Sequence, residues 1–570
     1  MSVFFNGRIW TTPATMSVVD DSAMYNKNLT VGNVLAIIGK SAGGEPAKAL
    51  TFGSAAAAKA VLRDGEGLRA VERAFDPSAQ VPGPSKVVFI RVNPATRSSH
   101  DLLDAGATAV IGLQSEGYGA FTNGIKVKVE AASVKGKKLT TQFGLDYFSS
   151  DNVYRDALGI HYTGAGAAAT VTIGATTLTL VVDAVTVATI ALADTPTIQD
   201  LADRINATAG FVASVKDGNG AKVALNGLDF ATTADCKTAE YVVTANLQAI
   251  IDWFNGVGEG FVTATRKANV GVVPANVGFT YLSGGSDGVV TNAEWQAAFD
   301  ALKTADVQWV VPISPSAAIH AMADAHVAFM SNVGRMERRA IVGTDVGTTD
   351  SVALDAAKAL NSDRTSLCHL GFYDYNPAGA LTLYPPYILA AMVAGAFSGV
   401  NPGTPLTNKT LKVRGLERKL QNPVDTDALI DGGVLCVEDT PKGFKVVKSI
   451  TTWLTNDNYN RVEVSTGVAA DFVSRNVRDI LDDLRGKKGS PALLAEAVSR
   501  AESTLLKLAE PEPMGPAVIV GDAQNPPFKN ITASLEGDVM KVEFQCSPVI
   551  PCNYIPIVVH AVPYSGSASA

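Results

Sequence analysis

Apolar positions first gather in two continuous runs, 34–38 and 87–92, separated by an Ala-rich stretch at 54–62. A short apolar run without alternation marks a strand buried on both faces, so this opening reads strand, helix, strand. The same grammar returns far downstream. Trp295, Phe299 and Leu302 share one face of a helix over 292–302, ahead of a continuous run at 307–313. Ile319, Met322, Val327 and Met330 mark a further helix before 340–342, and a helix over 352–360 leads to 367–372. These five candidate strands alternating with helices predict an α/β unit with a doubly wound sheet, split into two stretches of sequence.

The interruption, 106–284, has a period of two instead. Ile125, Val127 and Val129 alternate with Lys126, Lys128 and Glu130, as in a half-exposed strand of an antiparallel sheet. Val171 and Ile173, Leu178 and Leu180, then Val185 and Val187 alternate with threonines. Thr197 opens a short helix carrying Ile198, Leu201 and Ile205, and Asp217-Gly218-Asn219-Gly220 predicts a hairpin turn. One or two β-rich modules inserted at the surface of the α/β unit are expected, with their ends returning close together.

The final third is mixed. Val473, Val477, Ile480, Leu481 and Leu484 form the apolar stripe of a helix whose other face holds Arg475, Arg478, Asp482, Asp483 and Arg485, and Gly486 ends it. Ser490 and Pro491 supply the cap and first turn of a second helix. Runs at 531–535 and 539–544 flank Glu536-Gly537-Asp538, which predicts a hairpin, and a last apolar strand is expected at 554–562. Residues 2–24 are extended in pattern, with Pro13 and little helical periodicity. A terminal strand with no partner in its own unit is an aggregation hazard unless another chain pairs with it. Val3, Phe5 and Ile9 at one end and Tyr554, Ile555, Ile557 and Val559 at the other are therefore candidate strand-exchange residues. The expected division is an N-terminal arm (1–28), the split core (29–105 and 285–400), the insertion (106–284), a mixed α+β C-terminal unit (401–545) and a C-terminal arm (546–570).

Length agrees with several units: 570 residues exceed the roughly 250–300 at which a single core stops growing. A hydrophobic share of 47% against 18% charged residues fits packed domains, and 51 glycines with 27 prolines imply many turns. A net charge of -8 without a basic cluster argues against direct nucleic-acid or anionic-membrane binding. The first ten residues lack the basic and apolar regions of a signal peptide. The most apolar window, 387–400, is shorter than the roughly 20 residues of a membrane span, and its small residues suit a tightly packed buried helix. Cys236, Cys368, Cys436, Cys546 and Cys552 form no C-x-x-C pair, so reduced, structural thiols are expected.

Catalytic patterns are weak. Gly284-Gly285-Ser286-Asp287-Gly288 matches a nucleophile elbow, but the next helix begins only after Val289, Val290 and Thr291, too late for a sharp strand-to-helix turn. His320, His326, His369 and His560 could serve as a base, yet no pattern ties any of them to Ser286. Gly39-Lys40-Ser41 lacks the earlier glycine of a phosphate loop, where Val34 stands, and Gly164-x-Gly166-x-x-Ala169 precedes a hairpin, not a helix. His320 and His326, six apart, do not share a helix face for a metal. No catalytic, cofactor or metal residue is expected.

The run Tyr281 to Gly288, followed by a helix and the buried stretch 307–313, resembles the glycine turn that re-enters the core of contractile tail sheath proteins. Asn460-Arg461-Val462 leading to Arg475-Asn476-Val477-Arg478-Asp479-Ile480, with the last strands at 542–544 and Tyr554-Ile555-Pro556-Ile557, is similar to that family's C-terminal domain. The resemblance covers most of 20–105 and 280–565. It implies a structural subunit, not an enzyme: six-fold rings stacked around a tail tube, joined by exchanged arms, with baseplate and tail terminator proteins as further partners. It implies a place in the virion tail, assembly in the host cytoplasm, and contraction by rigid-body motion without a nucleotide. It implies a C-terminal unit against the tube, where Arg475, Arg478, Arg485, Lys487 and Lys488 are the candidate contacts. Alternatives are the sheath of a phage-derived injector, a capsid or adhesin-like surface protein, and a serine hydrolase centred on Ser286.

Overall fold

The structure is a computed structural model that describes residues 3–5, 8–10, 34–256, 260–564 and 566. Its core is a seven-stranded sheet in the order Val434–Leu435, Thr365–Cys368, Arg339–Gly343, Trp309–Pro312, Val34–Gly39, Lys86–Arg91, Ala49–Phe52. Ala49–Phe52 runs antiparallel along one edge and the other neighbours are parallel. All five strands expected from apolar runs are present. The two edge strands were not expected, because a two-residue and a four-residue segment are too short to show a pattern. Val434–Leu435 comes from the stretch assigned to the C-terminal unit, so the hydrogen-bonded core does not stop at residue 400.

Alternate side chains of the central strands feed two cores. Leu35, Ile37, Val87, Phe89, Val311 and Ile341 pack under helices Glu66–Phe75 and Pro386–Gly399. Ala36, Ile38, Val88, Ile90, Val310 and Val342 pack under Asn292–Leu302, Ala317–Asn332 and Asp350–Leu360. Burial on both faces is why these strands read as unbroken apolar runs. Pro386–Gly399 is buried from Pro386 through Ser398, as the small residues of that window suggested. A β-carbon on Gly395 would stand 2.3 Å from Ala74 O, so glycine there permits close approach of the two helices. Among the described residues no helix is long and apolar enough to cross a membrane.

The insertion holds two nested cores. The outer one joins the sheets Val262–Arg266/Ala109–Ser115/Ser99–Leu103 and Asp146–Val153/Lys137–Phe143/Lys126–Ala131/Val277–Tyr281 to helix Asn246–Gly256. The inner one packs two further antiparallel sheets on helix Ile198–Asn206, whose Thr197 and Asp200 form a reciprocal cap. Two local expectations differ. Asp217 and Gly218 do turn the chain with positive φ, but into a short 3₁₀ segment, Asn219–Ala221, and not between paired strands. Val185 and Val187 face solvent: Ala188 and Ile190 take the inward positions of their strand, and a bulge between Leu180 and Val181 leaves Val187 unpaired in the ladder. The ends of the insertion do meet: Thr96 bridges Ser286 and Ser99 bridges Ser283.

Candidate assembly surfaces

The C-terminal unit packs helices Val464–Asp482 and Pro491–Ala509 against the hairpin Phe528–Glu536/Val539–Cys546. Phe528, Ile531, Val542 and Phe544 lean on the helices, and neither outer edge of this two-stranded ribbon bonds another strand. Beyond it the chain is held by Val520 to Ser547 and Val549 to Val518 backbone bonds, at 3.0 and 2.9 Å. It then leaves the surface. Tyr554, Ile555, Ile557 and Val559 are each at least 76% exposed and belong to no ladder, so the stretch expected as a strand at 554–562 is extended chain with no strand partner among the described residues. At the other end Val3–Phe5 pairs antiparallel with Arg8–Trp10, bringing Val3 opposite Trp10 and Phe4 opposite Ile9. The N-terminal segment that reads as a single extended arm is therefore a small ribbon, closed on itself at one edge. The expectations for 11–33 lie outside the described residues.

The glycine turn is a latch. Arg91, fully buried at the end of its strand, donates to the carbonyls of Gly44 (2.9 Å), Tyr118 (2.8 Å) and Ala42 (3.2 Å) and to Asp287 Oδ1 (2.8 Å). Asp287 also accepts from Ala120 N–H at 3.2 Å, tying both ends of the insertion to the core. A β-carbon on Gly285 would lie 2.5 Å from Thr122 Oγ1, and Gly288 adopts φ +70 against Pro94, so glycine is needed at both positions. Ser286 is part of this turn: its Oγ accepts from Gly288 N–H at 3.0 Å. The loop after Val34–Gly39 is likewise a turn, with Ser41 N–H on Asn93 Oδ1 and Ser41 Oγ on Gly43 O.

Three of the four candidate histidines are spent locally, and His560 lies exposed on the C-terminal arm. His320 Nε2 meets Ser314 O at 2.9 Å, and His369 Nε2 meets Asp350 at 2.6 Å. His326 accepts at Nε2 from Arg338 at 3.0 Å, and burial with that neighbouring charge lowers it to about 4. Among the described residues no group of three or more His, Cys, Asp and Glu could hold a metal.

A seam of arginines and carboxylates joins helix Val464–Asp482 to the core sheet. Asp471 accepts from Arg339 Nε and from both terminal nitrogens of Arg364, all at 3.1 Å. Burial lowers the pKa of Arg339, whereas for Arg364 the desolvation is outweighed by Asp471 and the pKa is raised. Arg475 and Arg478, two of the candidate tube contacts, belong to this seam. Arg475 is buried, bonding Asp306 at 2.9 Å and Glu337 O at 3.3 Å, and it presents no charge to a partner: its position one turn from Asp471 turns it inward. Arg478 is two-thirds buried in a forked pair with Glu337, both contacts at 2.7 Å. Arg485, Lys487 and Lys488 are exposed; Arg485 pairs with Asp482 and Lys487 with Glu496. The sequence reading missed Arg91, Glu337 and Arg339. The signal was available, since each is a charge set against or inside an otherwise apolar strand run.

No protein-family profile matches the chain. It is 29% identical to the tail sheath protein of Bacillus phage SP01, over 99% of this chain and 98% of that one. It is 26% identical to the putative tail sheath protein of Enterococcus phage phiEF24C, over 96% of each. From end to end, then, the chain is similar in sequence to tail sheath proteins of phages. Two solved sheath tail proteins share its fold. That of Desulfitobacterium hafniense aligns with a TM-score of 0.56 at 12% identity, over 94% of this chain and 96% of its own. That of Listeria innocua gives 0.56 at 13%, over 91% and 92%. The likeness to sheath proteins therefore spans the split core, both insertion roots and the C-terminal unit together.

Proposed function

We propose that the chain is the subunit of a contractile tail sheath, which polymerises as stacked six-fold rings around a tail tube and contracts to drive the tube through a host envelope. The observation that carries the reading is the pairing deficit at the C-terminus. An exposed apolar stretch and a ribbon with two open edges, neither paired with a further strand among the described residues, occur in one unit, and each could supply what the other lacks in a neighbouring copy. Exchange between copies satisfies both and makes a heterologous, helix-forming contact. The N-terminal ribbon would add to the same mesh. Latched roots and a seamed C-terminal helix favour motion of whole subunits over internal rearrangement.

The tube would lie against the C-terminal unit, where Arg485, Lys487 and Lys488 keep their charges at the surface. Baseplate and tail terminator proteins would bound the polymer, in a virion tail assembled in the host cytoplasm. The subunit's role is mechanical, not enzymatic. The test is electron microscopy of the full chain at rising concentration beside a variant lacking 551–570. Hollow striated tubes from the first and folded single subunits from the second are expected; tubes from both would remove the arm from the account.

A further inference from the structure

At the root of the C-terminal arm two acceptors meet with too few donors. Glu463 is 2% exposed, where the chain enters helix Val464–Asp482. Its carboxylate accepts from Ser465 Oγ and from Asn553 Nδ2, both at 3.3 Å, and both donors are neutral and long. The amide oxygen of the same Asn553 is buried and has no hydrogen-bond partner among the described residues. The charged group turned towards this point is Lys448, from the stretch after Gly443–Val446, but its ammonium donates to Tyr554 OH at 3.5 Å. Burial pushes the Glu463 carboxyl up to about 7, with Asn553, Lys448 and Ser465 only partly offsetting it. The carboxylate, and the unpartnered oxygen of the amide that bonds it, are both short of donors, and they fit one cationic donor with several hydrogens.

We propose that Glu463 and Asn553 form an acceptor pair that an Arg or Lys side chain of a second copy of this chain completes when the arms are exchanged. The proposal rests on the sheath reading. Its partner is set by continuity: the exposed apolar stretch begins at Tyr554, the residue after Asn553, so whatever copy covers the arm also covers this point. Pairing with a cation requires the carboxylate form. Assembly therefore releases a proton that the free subunit holds, and it strengthens as pH rises towards neutrality.

The test is the critical concentration for polymerisation of the full chain, by sedimentation, from about pH 5.5 to about pH 8, in wild type and in Glu463→Gln. In wild type it falls by up to about tenfold per pH unit and levels off above about pH 7. In Glu463→Gln it is higher at neutral pH and the slope is gone. Asn553→Ala, at the root of the arm and outside every apolar cluster, raises the critical concentration while keeping the slope. Equal slopes in wild type and Glu463→Gln overturn the pairing, as does a wild-type critical concentration that rises with pH, the result if a proton on Glu463 is the missing donor. Wild-type chain that stays single at every pH overturns the sheath reading itself and this proposal with it.

Discussion

Replacing Asp471 by alanine measures how firmly the C-terminal helix is seamed to the core. The carboxylate takes one hydrogen bond from Arg339 and two from Arg364, all at 3.1 Å. Arg339 is 5% exposed, and once Asp471 is gone it keeps only the bond to Asp363 O at 2.8 Å and the weaker pull of the Asp363 carboxylate. Removing one partner of a fully buried pair costs about 3–5 kcal/mol. The side chains of Asp471 and Arg364 are 20% and 17% exposed, so water screens part of this and about 2–4 kcal/mol is expected. At tenfold per about 1.4 kcal/mol, amide hydrogen exchange along Val464–Asp482 should quicken about 30- to 900-fold, while the insertion's strands keep their protection. Asp482→Ala is the control: it removes the exposed pair with Arg485 at the C-terminal end of the same helix, worth no more than about 0.5 kcal/mol. Exchange in the helix that stays within about twofold of wild type in Asp471→Ala, or that rises equally in both variants, refutes the seam.

Asp287→Ala strips the fully buried Arg91 of its counter-charge and of the tie to Ala120; the Asp287 side chain is 44% exposed, so water screens much of the pair and a cost of about 1–2 kcal/mol, confined to the insertion root, is expected. Limited proteolysis should then cut near 116–124 or 284–291 first, releasing an insertion that remains folded; unchanged cutting would show the latch to be idle. Lowering pH should loosen the core through His326. The folded value of about 4 lies below the ordinary one of 6.5, so the unfolded chain binds the extra proton. Stability is lost as pH falls from about 6.5 to about 4, by up to about 3 kcal/mol. In His326→Phe, which keeps the ring beside Phe299, that part of the acid slope should vanish from thermal unfolding midpoints.

The core was legible because its strands are buried on both faces, so unbroken apolar runs such as 307–313 announce themselves regardless of what lies between them in sequence. The short edges were not. Val434–Leu435 is recruited by a neighbour's open ladder, a property of the fold and not of two residues. Helix periodicity placed Arg475 and Arg478 correctly on the face opposite Val473 and Val477, and the inference to solvent then failed at Arg475. A helix wedged between a sheet and a second helix has two buried faces. Periodicity divides apolar from polar positions, and only the partner's chemistry decides whether a polar face is wet. Here the partner brings Asp306, Glu337 and the Arg339 cluster, so that face is dry and charged.

The same distinction separates what holds the subunit together from what joins it to others. Within the chain, the ionic contacts that tie one unit to another each have a buried or largely buried partner: Arg91 on Asp287, Arg339 and Arg364 on Asp471, Arg475 on Asp306, and Glu337 under Arg478. Such pairs fix geometry more than they add net stability, because desolvation cancels much of the attraction, and their geometry breaks all at once. They suit a body that must turn without deforming. At the C-terminus the unmet capacity is of another kind, namely strand edges and apolar side chains from Tyr554 onward. A strand bonded along its whole length can swing at its root while every ladder bond persists. A lattice whose subunits are stiff by buried charge and joined by paired backbone can therefore change its pitch without coming apart, which is the mechanical requirement of contraction.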